Sequence, residues 1–105
     1  MLDIQMEPRR GILFIRLSGS LTRKTINLVN KKVIHLVKNI GVKNIVFNLE
    51  GVSDIDNYGM NVLVKSKNIC LRNKGNVFIC TKNKKKFDKF NVVEDELKAI
   101  ELINA

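Results

Sequence analysis

The chain has 105 residues, 45% of them hydrophobic and none tryptophan, which suits one domain with a modest core of Ile, Leu, Val and five Phe. Nineteen Lys and Arg against ten Asp and Glu leave a net charge of +9, a balance that fits an acidic protein, an anionic surface, nucleic acid, or lysines that simply stay in water. No apolar run approaches membrane-spanning length, and Met1-Leu2-Asp3-Ile4 lacks the basic-then-apolar pattern of a leader. Two cysteines, Cys70 and Cys80, lie in apolar surroundings and make no disulfide framework, so a reduced, cytoplasmic setting is expected.

Leu2, Ile4 and Met6 alternate with Asp3, Gln5 and Glu7, the period of a strand over Met1–Met6. Pro8-Arg9-Arg10-Gly11 is a turn signal, and Ile12–Leu17 is a second, more apolar strand, so the pair reads as an antiparallel hairpin. Thr22 has the chemistry of an N-cap for a helix running to Ile40, with Ile26, Val29, Val33, Leu36, Val37 and Ile40 inward and Gly41 after its end. Lys43–Leu49 is a third strand, parallel to the second because a helix intervenes, and its apolar stretch within Ile45–Leu49 predicts burial on both faces.

After Leu49 the chain reads as a short polar loop that ends in Asp56-Asn57-Tyr58-Gly59, with Asp56 or Asn57 capping a helix over Gly59–Arg72 whose inner stripe is Met60, Leu63, Val64, Lys67 and Leu71. Asn73-Lys74-Gly75-Asn76 closes that helix, and Val77–Cys80 is the fourth strand. Lys84–Phe90 is a short helix with Phe87 and Phe90 facing the sheet, Asn91–Val93 a connector, and Glu94–Ile103 a last helix with Leu97, Ile100 and Leu102 or Ile103 inward. The order makes an α/β sandwich with a mixed sheet of four to five strands and about four helices, in a single domain over residues 1–105.

Catalysis finds little support. His35 is the only histidine and sits mid-helix, no His/Cys/Asp cluster has metal-ligand spacing, and the glycines form no phosphate loop; no cofactor is expected. The Lys82–Lys89 block has five lysines, but its two aromatics, Phe87 and Phe90, sit at core spacing, so it reads as a solvated face rather than a nucleic-acid reader. The turn Asp56-Asn57-Tyr58-Gly59 is different: it sets small polar groups and a tyrosine at a helix N-terminus, where free N–H groups and partial positive charge collect.

Leu49-Glu50-Gly51-Val52-Ser53-Asp54-Ile55-Asp56-Asn57-Tyr58-Gly59-Met60 resembles, without a gap, the signature of the STAS family of bacterial anti-sigma factor antagonists, L-x-x-V-x-x-I-D-S-S-G-hydrophobic between a strand and a helix. The resemblance covers nearly the whole chain and implies the STAS sandwich in the same element order. It also implies partner switching: the unmodified protein binds an anti-sigma factor that is itself a serine kinase, and phosphorylation of the second signature serine breaks the contact. That serine is Tyr58 here, the first is Asn57, and the acidic residues that often flank the position of Leu21 are Ser20 and Thr22.

The expected docking set is therefore Ser20, Thr22, Asp56, Asn57, Tyr58, Gly59, Met60 and Asn61, meeting an anti-sigma factor of serine-kinase type, the protein itself a monomer or weak dimer. A phenol oxygen projects further and along another vector than a serine oxygen, so a serine kinase should pass Tyr58 over. Tyr58 then leaves a permanently competent antagonist, an aromatic anchor for a retuned partner (the reading preferred here), or control through another hydroxyl such as Ser53. The alternative classes are a STAS subunit of another assembly, such as a lipid transporter, and a basic module for nucleic acid or an anionic surface on the same fold.

Overall fold

The computed structural model of the chain describes residues 1–104. Five strands form one sheet in the order β1-β2-β3-β4-β5: β1 Leu2–Arg9, β2 Ile12–Leu21, β3 Asn44–Ile55, β4 Asn76–Cys80 and β5 Asn91–Val93. β1 is antiparallel to β2, and the remaining pairs are parallel, so the sheet is mixed as expected. The hairpin turn is only Arg10–Gly11, both with positive φ, the two-residue geometry whose twist matches that of the flanking strands.

One face of the sheet carries two helices. The first, α1, runs as an α-helical turn Ile26–Val29, a π-helical turn Asn30–Ile34 and an α-helical segment His35–Ile40, and ends at Gly41 in the left-handed conformation. The second, α2, is Asn57–Arg72. Val29, Val33 and Val37 of α1 and Val62, Leu63 and Ile69 of α2 close over Leu13, Ile15, Ile45, Phe47, Val77 and Ile79. The other face carries only α3, Glu96–Ile103, whose Ala99, Ile100 and Ile103 pack on Ile12, Phe14, Val46, Cys80 and Val93. The β3 run is central, with Ile45, Val46 and Phe47 fully buried, because alternate residues serve the two cores.

Several elements depart from the sequence reading. β3 continues through Glu50–Ile55, which was expected to be a loop, because β2 also runs on to Leu21 and supplies backbone partners. The polar composition of this stretch reflects exposure of the paired strand, not loss of pairing. Asn91–Val93 is an edge strand rather than a connector. Lys84–Phe87 is a single 3-10 turn, so the described residues form three α-helices rather than about four; Phe87 and Phe90 still face inward, ring to edge at 6.4 Å.

α1 begins at Ile26, not after Thr22, and no side chain caps it. The Thr25 hydroxyl instead accepts the Thr22 N–H at 3.0 Å and donates to the Ser20 carbonyl at 2.8 Å, folding the loop before the helix. α2 turns inward on Gly59, Val62, Ser66 and Cys70 as well as Leu63, while Val64 and Leu71 stay exposed. The expected stripe, which held Lys67 and left out Val62 and Ile69, lay rotated from the buried face, where small residues mark the closest approach to the sheet. Leu97 likewise points outward, its place under α3 taken by Ala99. Ile40, at the last turn of α1, is 64% exposed.

α3 is tied to the sheet by charge as well as packing. Arg16 on β2 donates two bonds of 2.8 Å to the Glu96 carboxylate and one of 2.8 Å to Glu7 on β1, and Asn48 on β3 donates to Glu96 at 3.0 Å. These bonds, Arg16 foremost, hold the Glu96 carboxyl below its ordinary value of 4.5. Glu96 therefore supports the fold fully above that ordinary value and progressively less as pH falls below it. Glu96→Gln keeps an acceptor but loses the charge. It is expected to cost about 1 kcal/mol at neutral pH, discounted for the partial exposure of both partners, and to flatten the loss of stability between about pH 5 and pH 3. Urea midpoints across that range measure both effects; a parallel pH dependence in the two proteins would remove Glu96 from the acid response.

Candidate partner-docking site

The motif residues gather where β2 and β3 end side by side, with Leu21 opposite Ile55. Asp56 follows in extended conformation and caps α2. Its Oδ1 accepts the Gly59 N–H at 2.9 Å, its Oδ2 accepts the Arg23 N–H at 2.9 Å, and its own N–H donates to the Leu21 carbonyl at 3.3 Å. One carboxylate thus fastens the helix start to the loop that leaves β2. The Arg23 amide first, then that of Gly59, hold the Asp56 carboxyl below its ordinary value of 3.8, so the clamp is complete above that value and weakens in acid below it. Asp56→Ala loses both bonds, while Asp56→Asn keeps one acceptor and turns a donor toward one N–H. Melting temperatures are expected in the order wild type, Asp56→Asn, Asp56→Ala, and a calorimetric series in which alanine matches wild type would show that the clamp holds nothing.

Above this clamp Tyr58 is 52% exposed in the first turn of α2, and the Arg23 guanidinium carbon lies 5.9 Å from its ring centre. Asn57 and Asn61 are exposed beside it and Met60 is half-buried against the core. Gly59 is buried, its Cα pressed beneath Leu21, so it acts through packing. Ser20 and Thr22 are half-buried on the neighbouring strand end and loop. Ser20 is joined to Asp54, its hydroxyl donating to Oδ1, and Ser53 donates to the Gly19 carbonyl at 3.3 Å. The expected residues fall in two adjoining groups, Asp56 to Asn61, which Arg23 joins, and Ser20 with Thr22, where Ser20 meets Asp54. Arg23 was not singled out in the sequence. The signal available was Asp56 itself, a cap whose second oxygen also needs a donor.

His35 is exposed on α1. Burial pushes the Cys70 thiol up to about 11 and the Cys80 thiol up to about 12, so both stay protonated small core residues at neutral pH. Among the described residues no three His, Cys, Asp or Glu converge as metal ligands, and no helix is long and apolar enough to cross a membrane.

The family model of the STAS domain matches residues 3–95. The chain belongs to the STAS domain family. Among individual relatives, it is 28% identical over 82 residues to the anti-sigma F factor antagonist of Paenibacillus polymyxa, covering 78% of this chain and 70% of that protein. Among solved structures, the unphosphorylated anti-sigma factor antagonist SpoIIAA superposes with a TM-score of 0.80 at 19% identity, over 98% of this chain and 99% of that one. A putative anti-sigma factor antagonist of Thermotoga maritima gives 0.87 at 16% identity, over 97% and 95%. The chain is thus an anti-sigma factor antagonist-like STAS domain with the SpoIIAA fold.

Proposed function

We propose that this STAS domain works in the cytoplasm by partner switching without a switchable serine, docking an anti-sigma factor of serine-kinase type through the Asp56–Asn61 turn and the adjoining Ser20 and Thr22. The observation that carries the reading is a half-exposed tyrosine, with the Arg23 guanidinium over its ring, just after the Asp56 cap and at the position the family reserves for its phosphoserine. Tyrosine brings a large, stiff, amphipathic surface with few rotors, the kind of side chain that anchors interfaces. It is neutral, so it does not imitate the phosphorylated state.

Two properties follow from the side chain. Docking is constitutive with respect to the kinase, because the phenol oxygen lies out of register with a catalytic site shaped for serine. The contact is aromatic rather than acidic, since Ser20 and Thr22 replace the flanking carboxylates and Arg23 stands over the ring.

The test uses the full chain with each purified serine-kinase-type anti-sigma factor of its own cell, with and without ATP. Stable complex formation that ATP leaves intact, with no phosphate on Tyr58 by mass spectrometry, is the expected result. Phosphate on Tyr58, or a complex that ATP dissolves through Ser53, would overturn the constitutive reading. Absence of a complex with any of them would overturn the choice of partner.

A further inference from the structure

The net charge of this protein is not spread over it. Residues 8–49 contain nine cations, Arg9, Arg10, Arg16, Arg23, Lys24, Lys31, Lys32, Lys38 and Lys43, and no Asp or Glu. The rest of the chain holds ten cations and ten acids, so the Lys82–Lys89 block is offset by Asp88, Glu94, Asp95, Glu96 and Glu101 close by in sequence. The excess therefore belongs to β2, α1 and their loops. On α1, Lys31, Lys32, His35 and Lys38 are all exposed, with Leu28 among them and Ile40 at the end, and Lys24 is exposed in the loop just before the helix. Among the described residues, Arg16 alone of the nine is spent in ion pairs, on the opposite face of the sheet.

Beside the C-terminal turn of α1 lies an open groove of about 590 Å³, floored by apolar Met6, Pro8, Leu36, Ile40 and Val42. The charged residues that line it, Arg10 and Lys43, are both cations. It opens at the Ile12–Asn44 end of the β2–β3 pair, whereas Tyr58 stands at the Leu21–Ile55 end. The two surfaces can be occupied at once.

We propose that the exposed face of α1 and this groove form a docking surface for an anionic phospholipid bilayer, the lysines meeting headgroup phosphates while Ile40 and the groove take acyl-chain surface. The case is charge complementarity joined to an apolar recess: phosphate attracts the cations, and only an amphiphile also fills the groove. A nucleic acid would leave it empty and would find no aromatic ring to stack on, since Tyr58, at the far end, is the exposed aromatic among the described residues. An acidic protein face would meet the lysines but not the recess. The inference is independent of the partner assigned to Tyr58.

Flotation of the full chain with vesicles of phosphatidylcholine and phosphatidylglycerol, against phosphatidylcholine alone, tests it. The protein is expected to float with the mixed vesicles only, and less as salt is raised. Lys31→Gln/Lys32→Gln/Lys38→Gln should lower the partition coefficient roughly a hundredfold, while Lys84→Gln/Lys85→Gln/Lys86→Gln, which removes the same charge elsewhere, should leave it nearly unchanged. Ile40→Asn, at an exposed site, should lower it roughly fivefold to tenfold. Thermal melts confirm that each variant is folded. No flotation, equal flotation on phosphatidylcholine alone, equal loss in the two triple variants, or indifference to Ile40→Asn would each overturn the proposal, the last pointing instead to a purely electrostatic nucleic-acid or acidic-protein partner.

Discussion

Replacing Gly59 by alanine is expected to destabilise the protein by about 3 kcal/mol or more, among the largest effects of any single methyl group in the chain. A Cβ at this position would stand 2.2 Å from the Leu21 carbonyl oxygen, 2.8 Å from Ile55 Cγ1 and 3.0 Å from Leu21 Cγ. The carbonyl is backbone and already accepts the Asp56 N–H, so it has no rotamer to yield through. Relief requires the start of α2 to part from the end of β2, which opens the Asp56 clamp and uncovers Leu21, fully buried in the native fold. Gly11→Ala is the comparison: the added methyl meets nothing within 4 Å, and only the positive φ is disfavoured, at a cost of about 1 kcal/mol. Urea midpoints with unchanged slope measure both. If Gly59→Ala is no more costly than Gly11→Ala, the close approach of helix and strand is not what holds this end of the fold.

That close approach also shows what a sequence discloses and what it hides. The strands Leu2–Met6, Ile12–Leu17, Ile45–Leu49 and Val77–Cys80 were legible because alternation and continuous apolar runs report directly on which faces meet a core. The turn before α2 was legible because a carboxylate and a glycine three residues apart have few structural uses other than a cap and a tight contact. Three things were not. Glu50–Ile55 is strand by pairing alone, through a register that shifts between Arg16 and Ser18 and again between Gly19 and Ser20, and no side-chain pattern records such a shift. The inner face of α2 joins Gly59, Ser66 and Cys70 to Val62, Leu63 and Ile69, and without its small members the stripe is read rotated. The pairing of Arg23 with Tyr58 and Asp56 joins positions more than thirty residues apart, visible only once β2 and β3 lie together. Within the candidate site, then, the residues of the contiguous motif were readable and the support from across the sheet was not.

The second large effect is expected in binding, with little change in folding. Tyr58→Ala removes a ring that is half in water, so the melting temperature should stay close to that of the wild type. Asp56 still caps α2 and still holds the Arg23 amide, because neither bond involves the ring. The contact with Arg23 is a surface one and contributes little to stability by itself. A docked partner, by contrast, should lose roughly 2 kcal/mol or more, about a thirtyfold weaker Kd, as it would at an aromatic anchor near the centre of an interface. Tyr58→Phe separates the ring from its hydroxyl: if stacking and burial carry the contact it should bind within a few-fold of wild type, whereas a loss matching that of alanine would assign the energy to the hydroxyl. Tyr58→Ser restores the residue type the family carries here, and with it a hydroxyl at the distance a serine kinase requires. Phosphorylation of that variant by an anti-sigma factor that leaves the wild type untouched would show that tyrosine alone removed the switch. A variant that melts several degrees lower, with partner affinity unchanged, would place Tyr58 in the fold instead of the interface.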